Sequence, residues 1–345
     1  MTTTAAPTTT MKAVTRTAYG GPEVLALRDV DRPVAAEGQV LVRVHAASVN
    51  AFDWHMLTGT PYLARLQAGL RTPKSELLGV DFAGTVEAVG ANVDAFRPGD
   101  EVFGGRSGAF AEYVPVREEG AIVRKPAGMT FEQAAAVGIA GVTALQGLRD
   151  KGQLRSGQAV LVNGASGGVG TFAVQIAKAL GAEVTAVCST PNVDTARALG
   201  ADHVVDYTRE DFVASGKRYD LMLDIAGSRS CANCKRVLKD DGKLVIVGGP
   251  KTNNWVGPLA SGLATRLRSL RGSRSAVVFL AKLNGEDLVT LGELVDSGAV
   301  RPVIDRRHSL SEAADALAYV GQGHARGKVV IDVTAVTAAK NPAVR

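Results

Sequence analysis

The sequence predicts an α/β protein in which a doubly wound parallel sheet is combined with a β-rich part. From Thr130 to Val247, short apolar strands alternate with helical patterns, as in a parallel sheet with helices on both faces. A glycine-rich loop joins the first of these strands to the next helix. From Lys12 to Val123 the pattern is mainly that of strands and tight turns.

The β-rich part is expected at both ends of the chain. Val40–His45 alternates as a half-buried strand does, and Val80–Val89 predicts a further strand. After Ile304, a helix over Ser311–Gly321 and a strand over Lys328–Val333 indicate a return to this part. We therefore expect a disordered tail over residues 1–10, a first domain over 11–130 completed by 304–334, a second domain over 131–303, and a C-terminal tail over 335–345.

The α/β part opens with a long helix from Phe131 to about Leu148. Thr130 is a good N-cap, and Gln133 completes a capping box. Because the helix is apolar almost all round, we expect it to be buried. The elements that follow are predicted as strands at Ala159–Asn163, Glu183–Cys188, His203–Asp206, Tyr219–Ile225 and Lys243–Val247, with helices at Val169–Leu180, Pro191–Leu199 (Thr190 as cap) and Arg229–Leu238.

Charge and cysteine content narrow the functional classes. The formal net charge is +5, and the whole excess lies in one segment, Lys251–Ser275, which has five basic and no acidic residues. Such confinement argues against an extended nucleic-acid surface. Three cysteines exclude a disulfide scaffold and indicate a reducing compartment. With no signal-peptide pattern and no bilayer-length apolar run, we expect a cytoplasmic protein without stable membrane insertion.

The glycine-rich loop Val162–Gly170 has the pattern of a phosphate cradle. Aligned to G-x-G-x-x-G, its three positions are Ala165, Gly167 and Gly170. The second glycine lets the backbone approach a pyrophosphate, and the third allows close packing of helix against strand. Free N–H groups around Gly168 and Val169 would point at the anion.

The residues after the second strand indicate which dinucleotide binds. An NAD site places Asp or Glu there, whereas this strand ends in Cys188-Ser189-Thr190. The missing acid and the two hydroxyls favour NADPH. Pro191, where a basic residue is expected beside a 2′-phosphate, leaves the strength of that preference open.

Several motifs in a fixed order extend this interpretation beyond the loop. They are Ser48–Asp53, Leu78–Gly84, Phe96–Val102, Gly108–Tyr113, Ala165–Gly170, Leu199–Asp202 and Gly327–Val330. On these motifs, residues 11–334 resemble the medium-chain dehydrogenase/reductase superfamily, and within it the zinc-free quinone oxidoreductase and enone reductase branch.

The resemblance implies a β-rich GroES-like substrate domain, a Rossmann domain, a cleft between them, and a homodimer. It places Asn50 and Thr143 near the nicotinamide, Ser166 to Val169 at the pyrophosphate, Ser189 and Tyr207 near the 2′-phosphate, Gly248 along the cofactor groove, Phe279 beside the carboxamide, and Lys328 near the cleft mouth. Gly138 stands where relatives often carry Pro.

The resemblance also implies that no metal is bound. Zinc-dependent relatives use a cysteine and a Gly-His-Glu in the first domain, but here no cysteine precedes Cys188 and the second motif reads Gly79-Val80-Asp81. A catalytic zinc needs three protein ligands in one pocket, and the sequence does not supply them. The pair Cys231 and Cys234 is interpreted as part of a helix rather than as a metal or redox site.

The implied reaction transfers hydride from NADPH to a quinone or to the conjugated C=C of an α,β-unsaturated carbonyl. Some similar proteins use this step in natural-product biosynthesis to trigger ring closure. His55 and Tyr62 are the candidate proton donors, with solvent as the alternative, and Asp53 is interpreted as structural.

Two leucine-spaced segments, Tyr62–Leu70 and Leu259–Leu267, could form apolar walls over a hydrophobic substrate or could simply pack. The alternative function is an NADP-binding protein that binds RNA or regulates, with little catalysis. Peripheral membrane association through Leu259–Arg274 would be weak.

Overall fold

The computed structural model describes residues 9–62, 65–247 and 275–335. The first part of this chain is mainly β. Its elements are β1 (Thr10–Arg16), β2 (Leu25–Asp31), β3 (Gln39–Val49), α1 (Ala51–Thr58), α2 (Arg65–Ala68), β4 (Asp81–Val89), β5 (Glu101–Gly105), β6 (Tyr113–Arg117) and β7 (Ile122–Arg124).

The second part alternates between helix and strand, as predicted. Its elements are α3 (Phe131–Leu145), β8 (Ala159–Asn163), α4 (Gly168–Ala179), β9 (Glu183–Cys188), α5 (Val193–Ala198), β10 (His203–Asp206), β11 (Tyr219–Asp224), α6 (Cys231–Arg236), β12 (Leu238–Val247), β13 (Ser275–Phe279) and α7 (Gly285–Asp296). The chain continues through β14 (Ile304–Ser309), α8 (Ala313–Gly321) and β15 (Lys328–Asp332).

The α/β part contains a six-stranded sheet in the order β10-β9-β8-β11-β12-β13, and every neighbouring pair is parallel. The chain starts in the middle, winds to one edge and then to the other, which is the doubly wound arrangement. Consequently the carboxyl ends of β8 and β11 meet at the point where the winding reverses, and this is where ligands bind in such sheets. The predicted parallel sheet is confirmed.

The last strands return to the β-rich part, as the sequence indicates. β15 pairs antiparallel with β3 and parallel with β14, so both join a seven-stranded sheet that also contains β4, β5, β6 and β7. β1 and β2 form a separate antiparallel pair.

The helix α3 packs on the seven-stranded sheet, where it contacts β3, β4, β5 and β15, and it also contacts α4 and α7 of the α/β part. Thr130 caps it as predicted: its hydroxyl accepts from the Gln133 N–H, and the Gln133 side chain accepts from the Thr130 N–H. The helix is kinked at Gly138, where φ is −21° and ψ is −112°. Its buried face shares one hydrophobic core with Ala83 and Phe103 of the β-rich sheet and with the parallel sheet.

Two local predictions are wrong in detail, and one helix was not predicted. The Thr190 hydroxyl does not cap the next helix but donates to Asp206, and α5 begins only at Val193 after a short 3₁₀ turn. The helix predicted from Arg229 spans only Cys231–Arg236, because Ser230 accepts from the Asn233 N–H and caps it. The helix α7 had no counterpart among the predicted elements.

Candidate active site

A cavity of about 650 Å³ lies between the two sheets. Its wall is mainly apolar and is formed by the end of β1, the start of α1, the segment 74–80, the middle of α3, the start of α4 and the residues after β13. A cavity of this size and composition suits a small ligand that is largely buried. Four of the expected site residues lie on it, namely Asn50, Thr143, Val169 and Phe279.

Asn50 reaches the cavity wall with its amide held from two sides. Its Oδ1 accepts from Lys328 Nζ at 2.6 Å, and its Nδ2 donates to Asp81 Oδ2 at 2.9 Å. Because an ammonium can only donate, Lys328 fixes which side of the amide carries the oxygen. The Asn50 amide therefore has a defined orientation at the cavity wall.

Asp81 is fully buried and connects Asn50 to the kink in α3. Besides Asn50, its carboxylate accepts from the Ser48 hydroxyl at 3.2 Å and from the Ile139 N–H at 2.9 Å. A Cβ at Gly138 would lie 2.2 Å from Asp81 Oδ1, so only glycine leaves room for this carboxylate. Gly138 thus makes space for the Asp81 carboxylate.

Two further ionisable groups adjoin this network. Burial raises the pKa of Asp53 to about 7, although the backbone N–H of Asn50 donates to its carboxylate at 2.8 Å and opposes the shift. Burial also lowers the pKa of Lys328, which lies 3.6 Å from Asp81. Asp53 orients the start of α1, as expected. Lys328 differs from the expectation, because it is 2% exposed and points inward rather than lying at an open mouth.

The glycine-rich loop has the geometry of a phosphate cradle, with one change of assignment. Gly164, with φ of +92°, provides the turn, whereas the first pattern position, Ala165, is buried. A Cβ at Gly170 would lie 2.1 Å from Gly164 O, so the third position requires glycine. A Cβ at Gly167 would meet nothing closer than 4.0 Å, so this position is open to a ligand. The helix α4 begins at Gly168 and presents its unpaired N–H groups here.

A second cavity of about 330 Å³ lies on the other side of this loop. Ser166 and Tyr207 line it, together with Cys188 at the end of β9. Arg229 also lines it, and sequence reasoning missed this residue. Arg229 follows Ser228 in the loop between β11 and α6, and its Nη2 lies 3.3 Å from Asp211 Oδ1. The sequence signal that could have identified it is a basic residue shortly after a strand of the parallel sheet.

The hydroxyls of Ser189 and Thr190, which follow β9, already form hydrogen bonds within the protein. Thr190 Oγ1 donates to Asp206 Oδ2 at 2.5 Å, and this hydrogen bond lowers the pKa of Asp206. Ser189 Oγ accepts from Asn192 Nδ2 at 3.0 Å and keeps its own hydrogen for another partner. An acid therefore does stand near this position, supplied by the neighbouring strand β10.

The remaining predicted site residues are placed elsewhere. His55 is exposed on α1 and does not line the cavity, and Tyr62 is 37% exposed beside the Arg65 guanidinium. Neither is brought together with Asn50. Within the segment Tyr62–Leu70 the structure describes a helix over Arg65–Ala68, while residues 63–64 lie outside the described residues. Leu66 and Leu70 are exposed and do not form an apolar wall. Gly248, Leu259–Leu267 and the basic segment lie outside the described residues.

Among residues 9–62, 65–247 and 275–335, no group of three or more His, Cys, Asp or Glu side chains could hold a metal ion. Cys231 and Cys234 lie on α6, where burial and then Asp224 raise the pKa of Cys234 to about 12. Such a thiol is a poor nucleophile at neutral pH. Within the same residues, no helix has the length and apolar composition needed to cross a bilayer.

Two family models match parts of this chain. The family model for the alcohol dehydrogenase GroES-like domain matches residues 36–127, and that for zinc-binding dehydrogenase matches residues 199–331. The chain is 34% identical to the chloroplastic quinone-oxidoreductase QR1 of Triphysaria versicolor, over 93% of this chain and 98% of that protein. It is also 34% identical to a 2-methylene-furan-3-one reductase of Solanum lycopersicum, over 93% and 79%.

Among solved structures, the quinone oxidoreductase from Coxiella burnetii superposes with a TM-score of 0.82 at 33% identity, covering 94% of this chain and 100% of the other. These matches confirm the GroES-like and Rossmann architecture and the resemblance carried by the motifs. The chain therefore belongs to the medium-chain dehydrogenase/reductase superfamily of nicotinamide-dependent oxidoreductases, in its quinone oxidoreductase and enone reductase branch.

Proposed function

We propose that this protein uses NADPH, without a metal, to reduce a quinone or the conjugated C=C of an α,β-unsaturated carbonyl. The observation that carries the proposal is the position of the cradle loop between two cavities. Val169 lines the larger cavity beside Asn50, whereas Ser166 lines the smaller one beside Tyr207. A dinucleotide whose pyrophosphate lies on this loop would extend its nicotinamide half into the first cavity and its adenosine half into the second.

The residues present fit such a cofactor. The open position at Gly167 and the N–H groups at the start of α4 suit a pyrophosphate. Thr143 and Phe279 would flank the nicotinamide, and Lys328 packs its aliphatic stem close to Gly168. Ser189, Tyr207 and Arg229 are the candidates to hold the 2′-phosphate, with Arg229 as the basic group that Pro191 does not provide. When bound, reduced nicotinamide supplies the hydride.

Asn50 is proposed as the group that acts on the substrate. A conjugated carbonyl gains negative charge on its oxygen when hydride adds to the β-carbon. The Nδ2 amino group of Asn50 would donate to that oxygen, and Asp81 and Lys328 already fix the orientation of the amide. The mainly apolar wall lowers the local dielectric constant, which strengthens this hydrogen bond.

The proton for the α-carbon is proposed to come from solvent. The two donors suggested by the sequence, His55 and Tyr62, do not line the cavity. Ser107 and Lys74 lie on its wall, at positions where water could enter. An acid–base side chain is therefore unnecessary for this step, and mutation of His55 should leave turnover intact.

Metal independence rests on this chain's own residues. At the position of the Gly-His-Glu motif the chain carries Gly79-Val80-Asp81. The Asp81 carboxylate accepts hydrogen bonds from Asn50, Ser48 and Ile139 and does not face an open coordination site. A cytoplasmic location, suggested by the cysteine content, and a homodimer, suggested by family resemblance, belong to the same proposal. Fractionation and sedimentation measurements test these two points.

The direct test is NADPH oxidation by the metal-analysed enzyme over a panel of naphthoquinone, cyclohexenone, a long-chain enal and a saturated aldehyde. We expect turnover of the conjugated substrates, no loss on treatment with a chelator, and a lower Kd for NADPH than for NADH. Turnover of the saturated aldehyde alone, or activity that tracks zinc content, would overturn the proposal.

A further inference from the structure

Arg16, at the end of β1, places a buried cation in the wall of the larger cavity. The residue is 4% exposed. Its backbone N–H donates to Glu76 O, which fixes the chain next to the segment that forms this wall. The sequence motifs do not include Arg16, and the proposed reaction assigns it no role.

The guanidinium is only partly satisfied by the described residues. It has five N–H donors. Nη1 donates to the Met56 carbonyl, and Nε has no hydrogen-bond partner in the described part of the chain. The Tyr19 ring lies 5.2 Å from the guanidinium carbon, which adds a cation–π contact. No carboxylate of residues 9–62, 65–247 or 275–335 forms a salt bridge with it.

The charges around the cavity do not compensate for this cation. Among the described residues that line it, the basic side chains are Arg16 and Lys74, and the acidic one is Asp53. Asp53 is already held by the Asn50 backbone N–H. Lys74 is exposed, so solvent screens its charge. A buried charge is costly unless it is paired, so a ligand with an anionic oxygen would gain a charge-assisted hydrogen bond here.

We propose that Arg16 is a specificity residue for the anionic end of the substrate, so that the preferred substrates are quinones or enones carrying a carboxylate or an equivalent oxyanion away from the reacting double bond. This inference rests on the proposed function, because it assumes that the cavity holds the conjugated substrate. Asn50, immediately before α1, would hold the carbonyl end of the substrate. Arg16, at the end of β1, would hold its anionic end.

A matched set of substrates tests this without altering the protein. Linear enones with three, five or seven methylenes between the double bond and a terminal carboxylate are compared with their methyl esters. The terminal group is too far away to change the reactivity of the double bond. For the wild-type enzyme we expect kcat/KM for the acid to exceed that for the ester by about tenfold at the best chain length, as for one charge-assisted hydrogen bond.

Variants then assign the preference to one side chain. Arg16→Met keeps the aliphatic length and removes the cation, so the acid-to-ester ratio should fall to near one. Arg28→Met, on the exposed face of the neighbouring strand β2, is the matched control and should keep the wild-type ratio. An equal fall in Lys74→Met would assign the effect to the overall charge of the cavity and would overturn the role of Arg16.

The outcomes separate the two proposals. An enzyme that reduces the esters but favours the acids at no chain length would refute the inference about Arg16 and leave the reductase function standing. Failure to reduce any conjugated substrate, cyclohexenone included, would overturn the reductase function and with it this inference. Because the wild-type ratio needs no variant, the absence of an acid preference refutes the inference even if Arg16→Met does not fold.

Discussion

Asp81 Oδ1 accepts a hydrogen bond from the backbone N–H of Ile139 at 2.9 Å, across the kink that Gly138 introduces into α3. The same carboxylate accepts from Asn50, so the shape of the helix and the orientation of the proposed active-site amide depend on one buried side chain. The position of the Asn50 amide and the geometry of α3 are thereby coupled in this protein.

The first prediction concerns Gly138. An added Cβ would lie 2.2 Å from Asp81 Oδ1, so Gly138→Ala must displace a buried carboxylate or the helix. We expect a loss of about 3 kcal/mol in the free energy of unfolding, measured by urea denaturation. Gly285→Ala, at the start of α7, is the control, since its Cβ would meet nothing closer than 3.7 Å. Equal stability of the two variants would contradict the packing described here.

The second prediction separates two glycines of the cradle. Gly170→Ala should destabilise the fold, because the new Cβ would lie 2.1 Å from Gly164 O. Gly167→Ala should keep the wild-type melting temperature, because nothing lies within 4.0 Å, yet raise the Kd for NADPH about tenfold by filling the space for the pyrophosphate. Fluorescence titration measures the Kd. Unchanged NADPH affinity in Gly167→Ala would show that the cofactor does not lie on this loop.

The third prediction concerns pH. Burial raises the pKa of Asp53 to about 7, so its favourable contribution to stability is complete below about pH 4 and is lost as the pH rises to about 7. Asp53→Asn should therefore gain stability relative to wild type across this window, by at most about 4 kcal/mol. Urea denaturation at pH 4 to 8 measures this difference. Asp31→Asn, at an exposed site, should show a flat difference, and a flat difference for Asp53→Asn would be contrary evidence.

The fourth prediction concerns cofactor choice. If Arg229 holds the 2′-phosphate, Arg229→Ala should raise the Kd for NADPH about tenfold and that for NADH less than threefold, since only NADPH carries this group. Calorimetric titration with both cofactors provides the measurement. Arg218→Ala, exposed just before β11, serves as the matched control. Equal effects of Arg229→Ala on the two cofactors would instead indicate a contact with a part they share.

Much of the fold could be predicted because it depends on local patterns. Ala159–Asn163 and Glu183–Cys188 match the observed strands because continuous apolar runs next to glycine turns define buried parallel strands. The capping box of Thr130 and Gln133 is likewise local and is confirmed. The kink at Gly138 could not be predicted from a local pattern. The carboxylate that accepts from the Ile139 N–H at the kink belongs to Asp81, which is 58 residues from Ile139 in sequence.

The site was predictable where a motif marks it and not where tertiary packing creates it. The loop ending at Gly170 is a motif, and its packing follows from sequence. Thr190 was misassigned because Asp206 on the adjacent strand competes for its hydroxyl, and helix capping rules do not include that competition. Arg16 is a single basic residue in a strand, so only the folded chain shows that it reaches the cavity.

Conjugate hydride transfer without a metal determines which carbon receives the hydrogen, and an isotope label identifies that carbon. Chelator-treated enzyme of measured zinc content is incubated with cyclohexenone and NADPH that carries deuterium at both C4 positions, and the product is analysed by NMR. We expect cyclohexanone with deuterium on the former β-carbon. An allylic alcohol with deuterium on the carbonyl carbon, formed only when zinc is present, would contradict it.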